Sequence, residues 1–267
     1  MAAPAAAALS DRADVRLAIA GCDVVAGGHT LARGLTFEAR KGEFIALLGR
    51  NGVGKTLTLH TLAGLRPAAA GSVLLDGRGI AAWSGRERAR RLALLPQTAE
   101  EPFPSTVFET ALIGRHPHLP FWQWEGAGDF TSAHAALAAV GLAGLAARDV
   151  ATLSGGERRR LEIATLLAQD APVCLLDEPT NHLDPLHRSE VLELFRARAA
   201  AGGIVIAALH DATLAARHAD HALLLHGDGR WQYGDAGSTL NAGNLSALYQ
   251  VPVEELSARG KRVFVSV

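Results

Sequence analysis

The sequence predicts an α/β fold with a buried parallel sheet at its centre, and three observations carry that expectation. The runs Phe44–Leu48, 173–176 and Ile204–Ala208 are apolar throughout, as strands covered on both faces must be. Helical patterns separate them: Leu57, Leu59, Leu62 and Leu65 follow the first run, and 186–201 lies between the second and third. Between them, the stretch from about 100 to 168 turns helical, with helices expected over 107–115, 132–140 and 155–168.

The remaining elements follow in order. Short apolar runs at 15–20, 35–39 and 72–76 alternate with glycine-rich turns and read as further strands; the first central strand is expected over 43–48. Near the end, strands at 223–226 and 231–233 and a helix at 244–249 complete the same domain. No internal repeat is visible. Residues 1–14 are alanine-rich and lack a basic segment followed by a leucine-rich core, so they read as a disordered extension and not as a signal peptide. The span 130–147 has no formal charge and is long enough to raise the question of a membrane helix. Alanine dominates it, however, with Thr131, Ser132, His134, Gly141 and Gly144, and a soluble helix followed by a turn is expected. The chain is thus expected to reach a membrane only through a partner.

Composition narrows the function. The 267 residues are 49% hydrophobic, enough for a large core. Lys+Arg 26 against Asp+Glu 27 leaves a net charge of -1, which gives no basis for bulk binding of nucleic acid. Lysine occurs only at 41, 55 and 261. Cys22 and Cys174 lie far apart and outside any C-x-x-C pair, which argues against a disulfide framework and for a reducing cytoplasm. None of the eleven histidines pairs at helical spacing with fitting carboxylates, so no dedicated transition-metal site is expected.

The chemistry starts after the first central strand. Gly49-Arg50-Asn51-Gly52-Val53-Gly54-Lys55-Thr56, between a strand and a helix, is a phosphate-binding P-loop in its required context. Its glycines let successive N–H groups turn inward around phosphate oxygens, and the helix N-terminus adds partial positive charge. Lys55 is placed for the β- and γ-phosphates, and the Thr56 hydroxyl for Mg²⁺. After the second central strand come Asp177 and Glu178. Asp177 can bind Mg²⁺ through water, and Glu178 can orient or deprotonate the attacking water. A third element, Leu153-Ser154-Gly155-Gly156-Glu157, is both a capping box and a second anion site made of bare N–H groups at a helix start.

In that third element the chain resembles the ABC-type ATPases, whose signature is LSGGQ or LSGGE. The resemblance runs from about residue 15 to 253. It implies a P-loop NTPase core with an antiparallel β subdomain and a helical, signature-bearing subdomain at about 100–168, followed by a tail at 254–267 packed on the same domain. It also implies that two copies sandwich two ATP molecules head to tail. Ser154, Gly155 and Gly156 of one copy then grip the γ-phosphate held at the other copy's P-loop residues Gly49, Asn51, Gly52, Gly54, Lys55 and Thr56. Gln97 matches the glutamine that senses Mg²⁺ and the attacking water, Asp184 in Asn181-His182-Leu183-Asp184 matches the aspartate that crosses between copies, and His210 matches the switch histidine. The implied roles are catalytic for Glu178, His210 and Gln97, with Mg²⁺ held by Thr56, Gln97 and Asp177. One element departs from the pattern. The family carries an adenine-stacking aromatic near Val24 or Val25, and none occurs between Val15 and Thr36. Arg50 and Val53 also replace the usual proline and a smaller residue.

Fewer than 100 residues separate Lys55 from Ser154, too few for the long coiled coil of DNA-repair relatives. One set of motifs differs from the ribosome-associated relatives, which join two cassettes, and no membrane domain is fused. An importer subunit is therefore expected, at the cytoplasmic face of the inner membrane, working with separate permease subunits and indirectly with a substrate-binding protein. The alternative is a non-transport ATPase acting on ribosome or DNA-repair complexes. The segments Val107-Phe-Glu-Thr-Ala-Leu-Ile-Gly-Arg115 and Leu245-Ser-Ala-Leu-Tyr-Gln-Val-Pro-Val253 are similar to the group serving iron chelates, cobalamin and haem, with haem placed behind the other two. The aromatic segment His118-Leu-Pro-Phe-Trp-Gln-Trp-Glu125 fits two roles equally: a groove for a permease's coupling helix, or packing on its own lobe.

Overall fold

The computed structural model describes residues 15–97, 104–120 and 122–267. The extension expected over 1–14, residues 98–103 and Phe121 lie outside the described residues. Two long strands, β1 (Val15–Ala26) and β2 (His29–Arg40), form a hairpin, followed by β3 (Phe44–Leu48), α1 (Lys55–Leu62), β4 (Ala70–Leu75), β5 (Arg78–Gly79), α2 (Gly85–Ala89) and β6 (Leu92–Leu95). Three helices come next: α3 (Val107–Ile113), α4 (Ala127–Ala139) and α5 (Gly155–Gln169). The chain then alternates through β7 (Val173–Asp177), α6 (Pro185–Ala200), β8 (Ile204–Ala208), α7 (Ala212–His218), β9 (His221–Leu225) and β10 (Trp231–Asp235). It closes with α8 (Ala236–Thr239), α9 (Ala242–Tyr249), β11 (Val253–Ala258) and β12 (Lys261–Ser266).

The central sheet runs β10-β9-β3-β8-β7-β6, parallel except at β10, and a separate antiparallel sheet runs β2-β1-β4-β5. Every residue of β3, β7 and β8 is buried, which explains why these strands are apolar up to Asp177 at the end of β7. Alternate residues of these strands feed two cores. Phe44, Ala46, Leu48, Cys174 and Leu176 pack with the helices α3 to α6; Ile45, Leu47, Val173 and Leu175 pack with α1 and the antiparallel sheet. The sheet is thus the floor shared by two lobes.

Differences from expectation have local causes. The hairpin strands run well past 15–20 and 35–39, because register irregularities near Gly21 and Gly34, both at φ 61, let the ladder continue where alternation in the sequence stops. Helix α4 begins at Ala127 and not at 132: Asp129 accepts from the Gly126 N–H at 3.0 Å and from Arg115 Nε at 2.9 Å, fixing the first turn despite two glycines. The end of the chain is a β-hairpin, β11 with β12, held to α7 by the Phe264 N–H donating to Thr213 Oγ1 at 3.0 Å. Among the described residues, no helix is long and apolar enough to cross a membrane. Cys22 and Cys174 are both buried and free.

Candidate active site

Register brings the motifs to one edge. Asp177 stands opposite Ala208, and Ala208 opposite Leu47, so β7, β8 and β3 end together. The P-loop leaves β3 there, Glu178 follows β7, and His210 lies two residues beyond β8. The carboxyl edge of a parallel sheet is where such folds bind ligands.

The P-loop is clamped from both sides. A Cβ added at Gly49 would lie 2.6 Å from the Leu225 carbonyl oxygen, and one at Gly54, which sits at φ 102, would lie 2.6 Å from Leu31 Cδ1. Both positions therefore need glycine. Lys55 is buried, its Nζ donating to the carbonyls of Gly49 at 2.9 Å and Arg50 at 3.2 Å. Burial lowers its pKa, and the charges of Glu178 and Asp177 offset part of that. The Arg50 side chain turns away to Gln250 at the end of α9. Asn51, Gly52, Gly54, Lys55, Thr56, Gln97 and Glu178 line one cleft of about 280 Å³.

Glu178 is the hub of that cleft. Its Oε2 accepts from Gln97 Nε2 at 2.9 Å and from Asn181 Nδ2, and its Oε1 meets His210 Nε2. Burial raises the carboxyl's pKa, but His210 and the hydrogen bonds from Gln97 and Asn181 outweigh it, holding Glu178 below its ordinary range. Asp177 is the opposite case. It is fully buried, neither carboxylate oxygen has a hydrogen-bond partner, and burial pushes its pKa up, with the Thr56 side chain offsetting part of the rise. An orphaned carboxylate at the end of β7, with the Thr56 hydroxyl of the cleft as its neighbour, is an all-oxygen set that fits a hard divalent cation such as Mg²⁺.

Ser154, Gly155, Gly156 and Asp184 do not line this cleft. Ser154 caps α5 in a capping box with Glu157, and its residue and Gly155 are exposed. Gly156 packs against the following turn: a Cβ there would lie 3.3 Å from the His182 carbonyl oxygen. Asp184, more than half exposed, caps α6 by accepting from the His187 N–H at 3.0 Å. The signature and the Asp184 turn thus share one surface.

One residue that ties the candidate site together escaped the sequence reading. Arg159, only 3% exposed, donates to the carbonyls of Pro96 at 2.8 Å, Asp177 at 2.7 Å and Glu178 at 2.9 Å. It joins the signature helix to the backbone of Asp177 and Glu178 and to the residue before Gln97. Helical period gave a signal, since Arg159 falls on the same face as buried Ile163 and Leu166.

A second cleft, also about 280 Å³, opens between β6 and the helices and is lined by Leu94, Leu95, Pro96, Leu161, Thr165 and Leu166 among others. The aromatic segment begins at its rim, where His118 Nε2 lies 2.8 Å from the Gln169 carbonyl oxygen. Arg90 holds the same turn by donating to the carbonyls of Pro117 and His118, whereas Trp122 and Trp124 are about nine-tenths exposed. Its first part packs on its own lobe and its second part faces solvent.

A P-loop, Glu178 and a glutamine around one cleft, with Asp177 buried at the same sheet edge, define a nucleotide-binding hydrolase. The profile described as ABC transporter matches residues 32–181. The chain belongs to the ABC transporter family, as an ATP-binding and ATP-hydrolysing subunit. It is 44% identical over 246 residues to the Hemin import ATP-binding protein HmuV of Streptomyces coelicolor, covering 90% of this chain and 85% of that one. It is 43% identical over 201 residues to the Ferric enterobactin transport ATP-binding protein FepC of Escherichia coli, covering 74% of each. Among solved structures it resembles a candidate metal-chelate type ABC transporter in an inward-facing conformation, with TM-score 0.83, 26% identity, and 95% and 98% of the two chains covered.

Proposed function

We propose that the chain drives an importer for an iron-bearing chelate, with haem as its cargo. The observation that carries the mechanism is a divided site. Lys55, Thr56, Asp177, Glu178, Gln97 and His210 gather at one sheet edge, while Ser154, Gly155, Gly156 and Asp184 lie outside that cleft on a shared surface. A second copy docked head to tail would supply the missing donors to each ATP.

In this reading the P-loop amides and Lys55 bind the β- and γ-phosphates. Mg²⁺, held by Thr56, Gln97 and Asp177, would neutralise charge on the phosphate oxygens. Glu178 orients the attacking water and accepts its proton, with His210 and Gln97 setting the carboxylate's position and keeping it ionised. Arg159 fixes the backbone from which both carboxylates project. The cleft beside β6 receives an apolar segment of a permease, which places the chain peripherally at the cytoplasmic face of the inner membrane, with a substrate-binding protein acting on the far side.

The sequence placed haem behind cobalamin and iron chelates. The haemin and ferric enterobactin relatives favour iron-bearing cargo and bring haem forward. The test is to capture a tagged Glu178→Gln chain loaded with ATP from detergent-solubilised native membranes, identify its permease, and place wild-type complex in lipid vesicles. ATP-driven accumulation of haem over cobalamin supports the proposal. Accumulation of cobalamin alone overturns the cargo, and ribosomes in place of a permease overturn transport.

A further inference from the structure

Three consecutive arginines on α5 point to three different places. Arg158 lines the cleft beside β6 and Arg159 holds the catalytic carbonyls. Arg160 reaches the turn that carries Asp184. Its Nη1 lies 3.2 Å from His187 Nε2 and donates to the Val140 carbonyl, at the end of α4, at 3.3 Å. On the other side of the ring, His187 Nδ1 lies 2.7 Å from Asp184 Oδ2. Guanidinium nitrogens only donate, so Nε2 accepts and Nδ1 carries the proton to Asp184. The imidazole is therefore a directional bridge from carboxylate to guanidinium. Two further contacts tie the same parts together: Gly156 abuts His182, and Arg188 Nε donates to the Leu183 carbonyl at 2.7 Å.

These bonds add little stability. The Asp184 side chain is 58% exposed and that of His187 30%, so water competes for the same hydrogen bonds. Their consequence is positional. We propose that His187 and Arg160 are positioning residues that lock the Asp184 turn to the helix headed by Ser154, so that both meet the second copy as one rigid face. The role rests on the reading above, in which Ser154 and Asp184 face that copy.

The experiment measures ATP-driven dimerisation of the Glu178→Gln chain by light scattering over a concentration series. In that background His187→Asn, which retains a donor for Asp184 but cannot reach Arg160, and Arg160→Ala are each expected to weaken dimerisation about five- to tenfold. The double variant is no worse than either single one, because both cut the same bridge. Arg160→Lys, which keeps a donor, recovers much of the loss. ATP affinity at monomeric dilution and the melting temperature stay at the parent values; in chains retaining Glu178, kcat falls while KM holds. Dimerisation equal to the parent, or effects that multiply in the double variant, overturns the role. A parent chain that binds ATP without dimerising overturns the two-copy reading, and this role with it.

Discussion

Glu178 adopts φ 50, a left-handed conformation that side chains rarely take and that clusters where function demands it. Hydrogen bonds from Gln97 and Asn181 and the contact with His210 hold it there. Glu178→Gln should keep ATP binding and lower turnover about 100-fold or more, the scale of a lost general base; hydrolysis near the wild-type rate would remove Glu178 from its role. Because its pKa is depressed, the stabilisation from these partners is complete above the ordinary carboxylate range and is lost as pH falls through the lowered value. Asp177 has the opposite sign. Its raised pKa means the ionised form is disfavoured in the fold, more so as pH rises. Asp177→Asn should therefore raise the melting temperature without divalent cation by about 2–4 °C, the shift given by 1 kcal/mol in a chain of this size, while abolishing hydrolysis. An unchanged or lower melting temperature would contradict the orphaned-carboxylate picture. At the β1–β2 hairpin, Val25→Tyr should tighten ATP binding several-fold by supplying a stacking surface worth about 1–3 kcal/mol in nucleic-acid systems. Unchanged affinity in a fluorescent-nucleotide titration would count against it.

At the scale of elements, α5 is the part that does most. Its first residues form the signature, Arg159 holds the carboxyl edge of the sheet, and the adjoining arginines reach two other surfaces. Arg159→Leu leaves three carbonyls and the Glu162 carboxylate without their partner, and should destabilise the fold by about 3–5 kcal/mol in urea unfolding while lowering turnover. A loss under about 1 kcal/mol would show that solvent or another group replaces it. Little of this was legible beforehand. Sequence showed that α5 exists and where it is capped, because Ser154 and Glu157 are three apart. It could not show that Arg159 meets Pro96, Asp177 and Glu178, since those contacts depend on how the helix lies on the sheet. The central strands were readable because burial on both faces forbids polar residues there. Strand β6 was not, as its four residues follow an arginine-rich stretch and carry no alternation. Helix α7 was missed for a related reason: Ala212–His218 is short and alanine-rich, and only the Asp211 cap marks it.

At the scale of the molecule, two lobes share one sheet, and the groups that would touch the phosphates of ATP sit either at the sheet's carboxyl edge or on the signature surface. The grouping of Lys55, Asp177 and Glu178 could be anticipated because each motif follows a strand of the same parallel sheet, whereas Gln97 could be placed beside them only through the family resemblance. The link between Asp184 and the signature could not, because it is made through the His187 side chain across two helices. The division of the site makes association the central requirement of the account, and solution mass tests it most directly. The Glu178→Gln chain should pass from one copy to two on adding ATP with Mg²⁺, and Ser154→Arg in the same chain should block that passage without affecting ATP binding. A chain that stays single with ATP bound, or that pairs equally well with Ser154→Arg, would contradict the shared, two-copy site.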